Sequence, residues 1–493
     1  MQYISTRNNG EKVSFSRAVV NGLASGGGLY VPETIPTISK EELEGMYEET
    51  YVERAVKVLS KFMTDFSKEE IEGICEKAYS KFYGDVAPVV KISDELFIME
   101  LFHGPTMAFK DVALTFLPYA LTTAMKKCEV KEEVVILVAT SGDTGKAALE
   151  GFKDVDGTKI IVFYPSEGVS DVQKLQMTSQ EGSNVCVVGV DGNFDNCQTG
   201  VKNIFGDEAF VAECLKNGSI LSSANSINFG RLLPQIVYYF SSYADLVQSG
   251  EIKAGDKIHF SVPTGNFGDI LAGYYAKQMG LPVDMLICAS NENNVLTDFF
   301  KTGEYDLSRE FFKTMSPSMD ILISSNLERL LYEISGRDDK LTVARMESLK
   351  KTGKYSITDE EFKILEASFY GDYCSEEETA EMIADFFEEC DYPLDPHTAV
   401  GVFVSDLYRG ETEDETPVVS LSTASPYKFL EDVMKCLGVK TSADIFKNAK
   451  EFHELSGVEL PVPFENLRGA TARFKEVIKK DKMKASVKGF VSK

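Results

Sequence analysis

Four short runs in this chain, residues 134–139, 160–164, 185–190 and 285–289, are apolar at nearly every position rather than at alternate ones, and 258–262 is read with them although His259 and Ser261 interrupt it. A strand with one face in water alternates. A continuous apolar run belongs to a strand covered on both faces, which is the condition of a parallel sheet sandwiched between helices. Amphipathic stretches at 172–180, 196–205, 231–244 and 269–279 lie between and after these runs, and Gly-rich turns follow several of them. Repeated strand, turn and helix predict an α/β fold with doubly wound, mostly parallel sheets. In such sheets ligands sit beyond the carboxyl ends of the strands, so the turns that follow strands are where chemistry is expected.

The flanks read differently. Ser39 with Glu42, Ser67 with Glu70, and Ser375 with Glu378 have capping-box spacing, and each predicts a helix start. Gly26-Gly27-Gly28 is a chain reversal feeding an extended segment to Pro32. Residues 359–391 hold thirteen acids and one base, with Ile383, Phe386, Phe387 and Cys390 on one helical stripe, and read as a solvated helical segment. Residues 410–416 read as an exposed loop before a strand at 418–421. The expected organisation is an N-terminal cap at 1–92 and a catalytic unit at 93–437. Within that unit a small lobe covers about 126–225 and a large lobe the remainder; residues 438–493 form a helical extension with a basic tail.

Charge excludes several functions. The 493 residues carry a net charge of −26, a field that repels nucleic-acid backbones and anionic membranes. Only 468–493 is basic, with nine Lys or Arg and two acids, and it reads as an amphipathic end helix whose cations offset the acidic body. The longest aliphatic run, 134–139, is far too short to span a bilayer, and the first residues lack a signal-peptide pattern. The nine cysteines form no Cys-x-x-Cys pair and the four histidines are dispersed, so reduced thiols, a cytoplasmic location and no metal site are expected.

Three turns carry candidate chemistry. His103-Gly104-Pro105-Thr106-Met107-Ala108-Phe109-Lys110-Asp111 sets one lysine behind a Gly-Pro turn among apolar neighbours, where burial would lower its pKa and free its amine for reaction. Thr140-Ser141-Gly142-Asp143-Thr144-Gly145-Lys146 follows the 134–139 run and offers hydroxyls and helix-start amides for an anion. A nucleotide-hydrolysing P-loop is disfavoured, because Thr140 stands where that motif needs Gly and Ala147 where it needs Ser or Thr. Pro263-Thr264-Gly265-Asn266-Phe267-Gly268-Asp269 follows the 258–262 run and is a phosphate cradle without a lysine. A buried amine, a phosphate cradle and a doubly wound sheet together suit pyridoxal 5′-phosphate (PLP).

With these blocks in view the chain resembles the threonine synthases, members of the tryptophan-synthase-β-like (fold type II) group of PLP enzymes. The resemblance rests on 103–111, 140–145, 225–232, 263–269, Met315 to Asp320 and Ser422 to Pro426, in that order, and runs from the cap to about Leu437. Pro317-Ser318 and Thr264 depart from the residues many members carry. The resemblance implies two α/β lobes with PLP between them. Lys110 would form the Schiff base and move protons; Thr264, Gly265, Asn266, Phe267 and Gly268 would hold the cofactor phosphate, and Thr423 would face the ring nitrogen. Ser141, Asp143 and Thr144 would hold the substrate carboxylate side, with Asp143 orienting rather than binding it, and Asn225, Ser226 and Arg231 would take the substrate phosphate. The implied reaction is O-phospho-L-homoserine plus water to L-threonine and phosphate, the last step of threonine biosynthesis, in a monomer or homodimer. A dehydratase or phospho-lyase of the same fold, or a PLP-binding relative without activity, are the alternatives.

Overall fold

The computed structural model describes every residue except Ser141, Glu167, Gly168 and Lys493, and leaves the side chain of Asp195 undescribed. All five runs are strands, Glu133–Ala139, Thr158–Pro165, Val185–Asp191, Ile258–Pro263 and Val283–Ser290. They divide between two sheets.

The smaller sheet has five parallel strands, ordered Val477–Lys479, Val185–Asp191, Thr158–Pro165, Glu133–Ala139 and Ser219–Ser222. Its far edge is supplied by the basic tail, so the lobe expected at 126–225 is completed from outside that range. The tail is therefore a strand followed by helix Met483–Val491, not a helix alone. Met483 and Val487 of that helix pack with Val135, Leu137, Ile161 and Phe163 of the sheet. Its cations do meet surface acids, Lys484 with Asp207 and Lys488 with Glu213.

The larger sheet has six strands, ordered Phe369–Tyr373, Val283–Ser290, Ile258–Pro263, Val418–Ser422, Leu96–Glu100 and Val89–Lys91. All neighbours are parallel except the last pair. Strand Phe369–Tyr373 corrects the reading of 359–391 as helical throughout: it lies between helices Asp359–Glu366 and Glu376–Cys390. As an edge strand it needs apolar cover mainly at Phe369, which is why the acidic composition hides it. Helix Pro396–Thr412 also runs into the stretch expected to be an exposed loop, which begins only at Glu413. The helix expected at 231–244 is two helices, Phe229–Leu232 and Gln235–Gln248, because Pro234 lacks the amide that would continue the ladder.

The N-terminal residues form the expected helices, including Lys40–Glu44 and Lys68–Tyr79 with both capping boxes closed. They add a three-stranded antiparallel sheet, Asn8–Val13, Tyr3–Ser5 and Tyr30–Pro32. Gly26 and Gly27, at φ of 69° and 82°, make the reversal before its last strand. This cap is not an independent module. Tyr3, Phe15, Leu59 and Phe62 share one core with Phe229, Ile258 and Leu286, and the Phe229 ring meets those of Tyr3, Phe62 and Tyr275. The C-terminal extension bridges the lobes: Phe452 and Phe464 pack under the larger sheet, while the Arg473 amide donates to the Thr178 carbonyl of the smaller lobe at 2.8 Å.

Candidate active site

The Lys110 turn is held from both sides. The Asp111 carboxylate accepts the Thr106 amide at 2.8 Å and the Thr106 hydroxyl at 2.6 Å, closing the turn. Gly104 has no room for a side chain, since a Cβ there would lie 2.5 Å from the Asp111 side chain. Opposite, the Phe109 amide donates to the Thr423 carbonyl at 2.8 Å and Ala108 bridges Ala424. The turn is thus sewn to the end of strand Val418–Ser422, and Thr423 stands beside Lys110 with its hydroxyl uncommitted to any described residue.

Lys110 opens helix Lys110–Leu114 and is 8% exposed. Its amine donates to Ser318 Oγ at 3.2 Å, lies 3.5 Å from Asp143 Oδ2 and sits over the Phe109 ring. Burial pushes its pKa down; Asp143 opposes this, while Arg231 and Lys428 add to it. The result is an amine that gives up its proton more readily than a surface lysine.

Asp143 is the hub. Its Oδ1 meets Lys428 Nζ at 2.9 Å and accepts Gln173 Nε2 at 2.8 Å, while its Oδ2 accepts Ser318 Oγ at 2.9 Å. Burial alone would raise this carboxyl, but Lys428 and Lys110 hold it well below the ordinary carboxylate range. A carboxylate so surrounded orients cations and cannot bind a substrate carboxylate, as its charge already suggested. Lys428 is fully buried and also donates to the Thr106 carbonyl at 2.8 Å, tying the hub back to the Lys110 turn. Ser318 is fixed through its own amide, which donates to His397 Nε2 at 3.2 Å; with Nε2 accepting, the ring proton belongs on Nδ1, 2.7 Å from Asp395.

The third turn forms the start of helix Gly268–Gln278, with Phe267 at φ 63° directing the chain into it. The amides of Gly265, Asn266, Phe267 and Gly268 donate to no acceptor among the described residues. Four converging donors at a helix N-terminus make an anion cradle. Thr264 does not share this role: its amide is given to the Ala289 carbonyl and its hydroxyl to the Val262 carbonyl, at 2.8 and 2.6 Å. A Cβ on Gly265 would come 2.8 Å from the Ser318 carbonyl oxygen, so this glycine lets the cradle approach the Ser318 segment that touches Lys110.

Arg231 is another buried cation near the turns. It is 6% exposed, donates to the Ala224 carbonyl at 2.7 Å and pairs with no carboxylate among the described residues. Burial brings its pKa down to about 10. A buried guanidinium without an anion is costly, and an anionic ligand is the partner it lacks. Ser226 Oγ accepts Asn326 Nδ2 at 3.0 Å and lies beside Gly268. Asn225 is exposed, and its carbonyl holds the turn by accepting the Asn228 amide. Thr144 lies half-buried in the first turn of helix Asp143–Phe152, and Ser141 is outside the described residues.

Of the residues expected from sequence, the structure brings Asp143 to the Lys110 amine, ties Thr423 to the Lys110 turn through the Phe109 amide, sets Ser226 beside Gly268 of the cradle, and leaves Arg231 near enough for its charge to bear on Lys110. Lys428, Ser318, Gln173 and His397 were not assigned roles. Ser318 lies within the 315–320 block, and Lys428 two residues beyond the 422–426 block. Their partners come from distant segments, so spacing alone gave no signal. A buried amine of lowered pKa, a four-amide cradle and a free hydroxyl at Thr423 fit a pyridoxal phosphate cofactor.

Comparison with known proteins agrees with this geometry. Residues 2–79 match the family described as threonine synthase N terminus, 87–424 that of pyridoxal-phosphate dependent enzymes, and 398–491 that of threonine synthase, C-terminal. The chain is 41% identical to the threonine synthase of Pseudomonas aeruginosa, covering 88% of this chain and 90% of that one. It is 43% identical to human Threonine synthase-like 1, matching 87% of this chain but spanning only 59% of that protein's length. A PLP-bound threonine synthase from Brucella melitensis superposes over the whole of both chains with a TM-score of 0.89 at 37% identity. The yeast threonine synthase structure gives 0.90 at 34% identity, covering 100% of this chain and 99% of that one. Fold, cradle and sequence agree, and the chain belongs to the threonine synthase family of pyridoxal-phosphate-dependent enzymes.

Proposed function

We propose that this chain converts O-phospho-L-homoserine and water to L-threonine and phosphate. The observation that carries the reading is the pairing of two anion sites with one buried amine: the Gly265–Gly268 cradle for the cofactor phosphate and the unpaired Arg231 guanidinium for the substrate phosphate. A PLP enzyme acting on an unphosphorylated amino acid has no need of the second.

The cofactor supplies the electron sink that makes loss of protons from Cα and Cβ feasible. The chain's residues do the rest. Lys110 would hold the cofactor and move protons at the substrate carbons. Asp143 and Ser318 fix the position of its amine, and Lys428 keeps Asp143 ionised. Thr423 would offer the ring nitrogen a hydroxyl, which would leave it less protonated than a carboxylate would. Arg231 and Ser226 bind the departing phosphate, and the guanidinium charge stabilises it as it leaves Cγ. Thr144, with Ser141 from sequence, holds the carboxylate side. Water then adds at Cβ. Atoms balance as one water consumed and one phosphate released per threonine.

The assignment of units follows: cap at 1–92, catalytic unit at 93–437, and an extension from 438 that bridges the lobes. No helix among the described residues is long and apolar enough to cross a membrane. Operation in the cytoplasm, as a monomer or homodimer, completes the proposal. The test is to supply purified PLP-loaded protein with phosphohomoserine and quantify threonine and phosphate. Equal yields support the reading; 2-oxobutyrate and ammonia in place of threonine would assign a dehydratase.

A further inference from the structure

The two anion sites are joined by one side chain that neither motif contains. Asn326 is fully buried at the start of helix Leu327–Ile334. Its Nδ2 donates to Ser226 Oγ and to the Asn266 carbonyl, both at 3.0 Å, and its backbone amide donates to the same carbonyl at 3.1 Å. Its Oδ1 accepts from the Arg329 guanidinium. Arginine has no acceptor, so this contact fixes which end of the amide is oxygen and aims the NH₂ group at the two loops. Arg329 is itself immobilised, donating to the Tyr30 carbonyl at 3.0 Å and the Ile227 carbonyl at 2.6 Å, and is fully buried. It therefore links the cap, the Ile227 segment and Asn326. The loops meet at this point: a Cβ on Gly268 would lie 3.4 Å from Asn326 Nδ2 and 3.5 Å from Ser226 Cβ. Because Asn326 fills an acceptor site on Ser226 Oγ, the hydroxyl proton stays free to donate to an anion.

We propose that Asn326, oriented by Arg329, is a positioning residue shared by both phosphate sites, one side-chain amide setting the separation between the Gly265–Gly268 cradle and the Ser226–Arg231 segment. The proposal rests on the reading of those segments as cofactor-phosphate and substrate-phosphate sites. It requires that a change at Asn326 weaken both affinities together, whereas a change within either loop weakens one.

The experiment measures two constants: PLP affinity by absorbance titration, and inorganic phosphate affinity by calorimetry on the PLP-loaded protein. In Asn326→Ala both dissociation constants should rise about tenfold for two lost hydrogen bonds, with kcat at saturating substrate changed less than threefold. Asn326→Asp is isosteric, keeps the oxygen for Arg329 and removes both side-chain donors; it should show the same paired loss and guards against misfolding in the smaller variant. Arg231→Met should raise only the phosphate constant and Gly265→Val only the PLP constant. If either constant stays at its wild-type value in both Asn326 variants, or if only the melting temperature moves, Asn326 is structural and the proposal fails. Neither constant depends on turnover, so absence of threonine formation would sink the proposed function while leaving this test readable.

Discussion

Replacing Arg231 by methionine should stabilise the protein while disabling it. The guanidinium is buried, has one hydrogen bond to the Ala224 carbonyl at 2.7 Å, and has its pKa lowered to about 10 by burial. A base whose folded pKa lies below its unfolded one destabilises the fold at every pH below the folded value, and the penalty disappears only as pH rises through the unfolded value, above about 12. At neutral pH the whole penalty applies, about 3 kcal/mol. Methionine fills the space of the stem without the charge. The lost bond to Ala224 costs about 1 kcal/mol, leaving a net gain of about 2 kcal/mol. For a chain of this length that is a rise of about 2 °C in melting temperature. The assay is thermal unfolding of the PLP-loaded protein at pH 7, with and without inorganic phosphate. Phosphate at a hundred times its wild-type dissociation constant should stabilise wild type by about 2.7 kcal/mol and the variant by less than about 1 kcal/mol. Turnover should fall roughly thirty-fold to several-hundred-fold in kcat/KM, the loss of charge-assisted bonds of about 2–4 kcal/mol. A variant that melts below wild type and is protected by phosphate as fully as wild type would refute the argument, because Arg231 would then be a structural cation and the substrate anion would bind elsewhere.

Three further outcomes are expected. Lys110→Ala should fold but show no absorption band near roughly 410–430 nm, and borohydride should leave no cofactor attached, which peptide mapping checks. Gly265→Val should lose PLP on dialysis, because even a Cβ would lie 2.8 Å from the Ser318 carbonyl, whereas Gly268→Ala, with its nearest neighbour at 3.4 Å, should retain it. Lys428→Met removes a like charge near Lys110 and leaves Asp143 to pair with Lys110 alone, so the Lys110 pKa should rise; Asp143→Asn removes the opposing charge and should lower it. The acid limb of PLP capture by the apoprotein should move up in pH for the first variant, by about one to two units at an effective dielectric near 20, and down for the second. Shifts in the same direction would exclude the ion-pair account.

Much of this architecture was legible because burial on both faces leaves a continuous apolar signature. The run at 134–139 became strand Glu133–Ala139, and the capping boxes at Ser39, Ser67 and Ser375 all closed as the spacing required. What escaped were features decided by remote partners. Strand Phe369–Tyr373 sits at an edge, so its sequence carries Gly371 and Asp372 and looks like its acidic flanks. The completing strand Val477–Lys479 is short, and two of its three residues are exposed. In the site, Lys110 and the 263–269 turn were legible as a lysine behind a Gly-Pro turn and a Gly-rich turn after an apolar run, whereas Arg231 was reached only through the family resemblance. Lys428 did not, since only the fold brings it to Asp143. Asn326 did not, because an asparagine at a helix start reads as an ordinary cap.

The borrowed edge strand of the smaller sheet has a consequence for how the protein is made. Until residues 477–479 leave the ribosome, strand Val185–Asp191 has no neighbour on one side. At roughly 5–20 residues per second that edge waits some tens of seconds after its own synthesis. It exposes a β-branched row of backbone donors and acceptors, the template on which nascent chains on one polysome can pair wrongly. A chain cut short before Val477 never closes that edge, so premature termination there should yield an aggregating product even though every residue of the Lys110 site has already been synthesised.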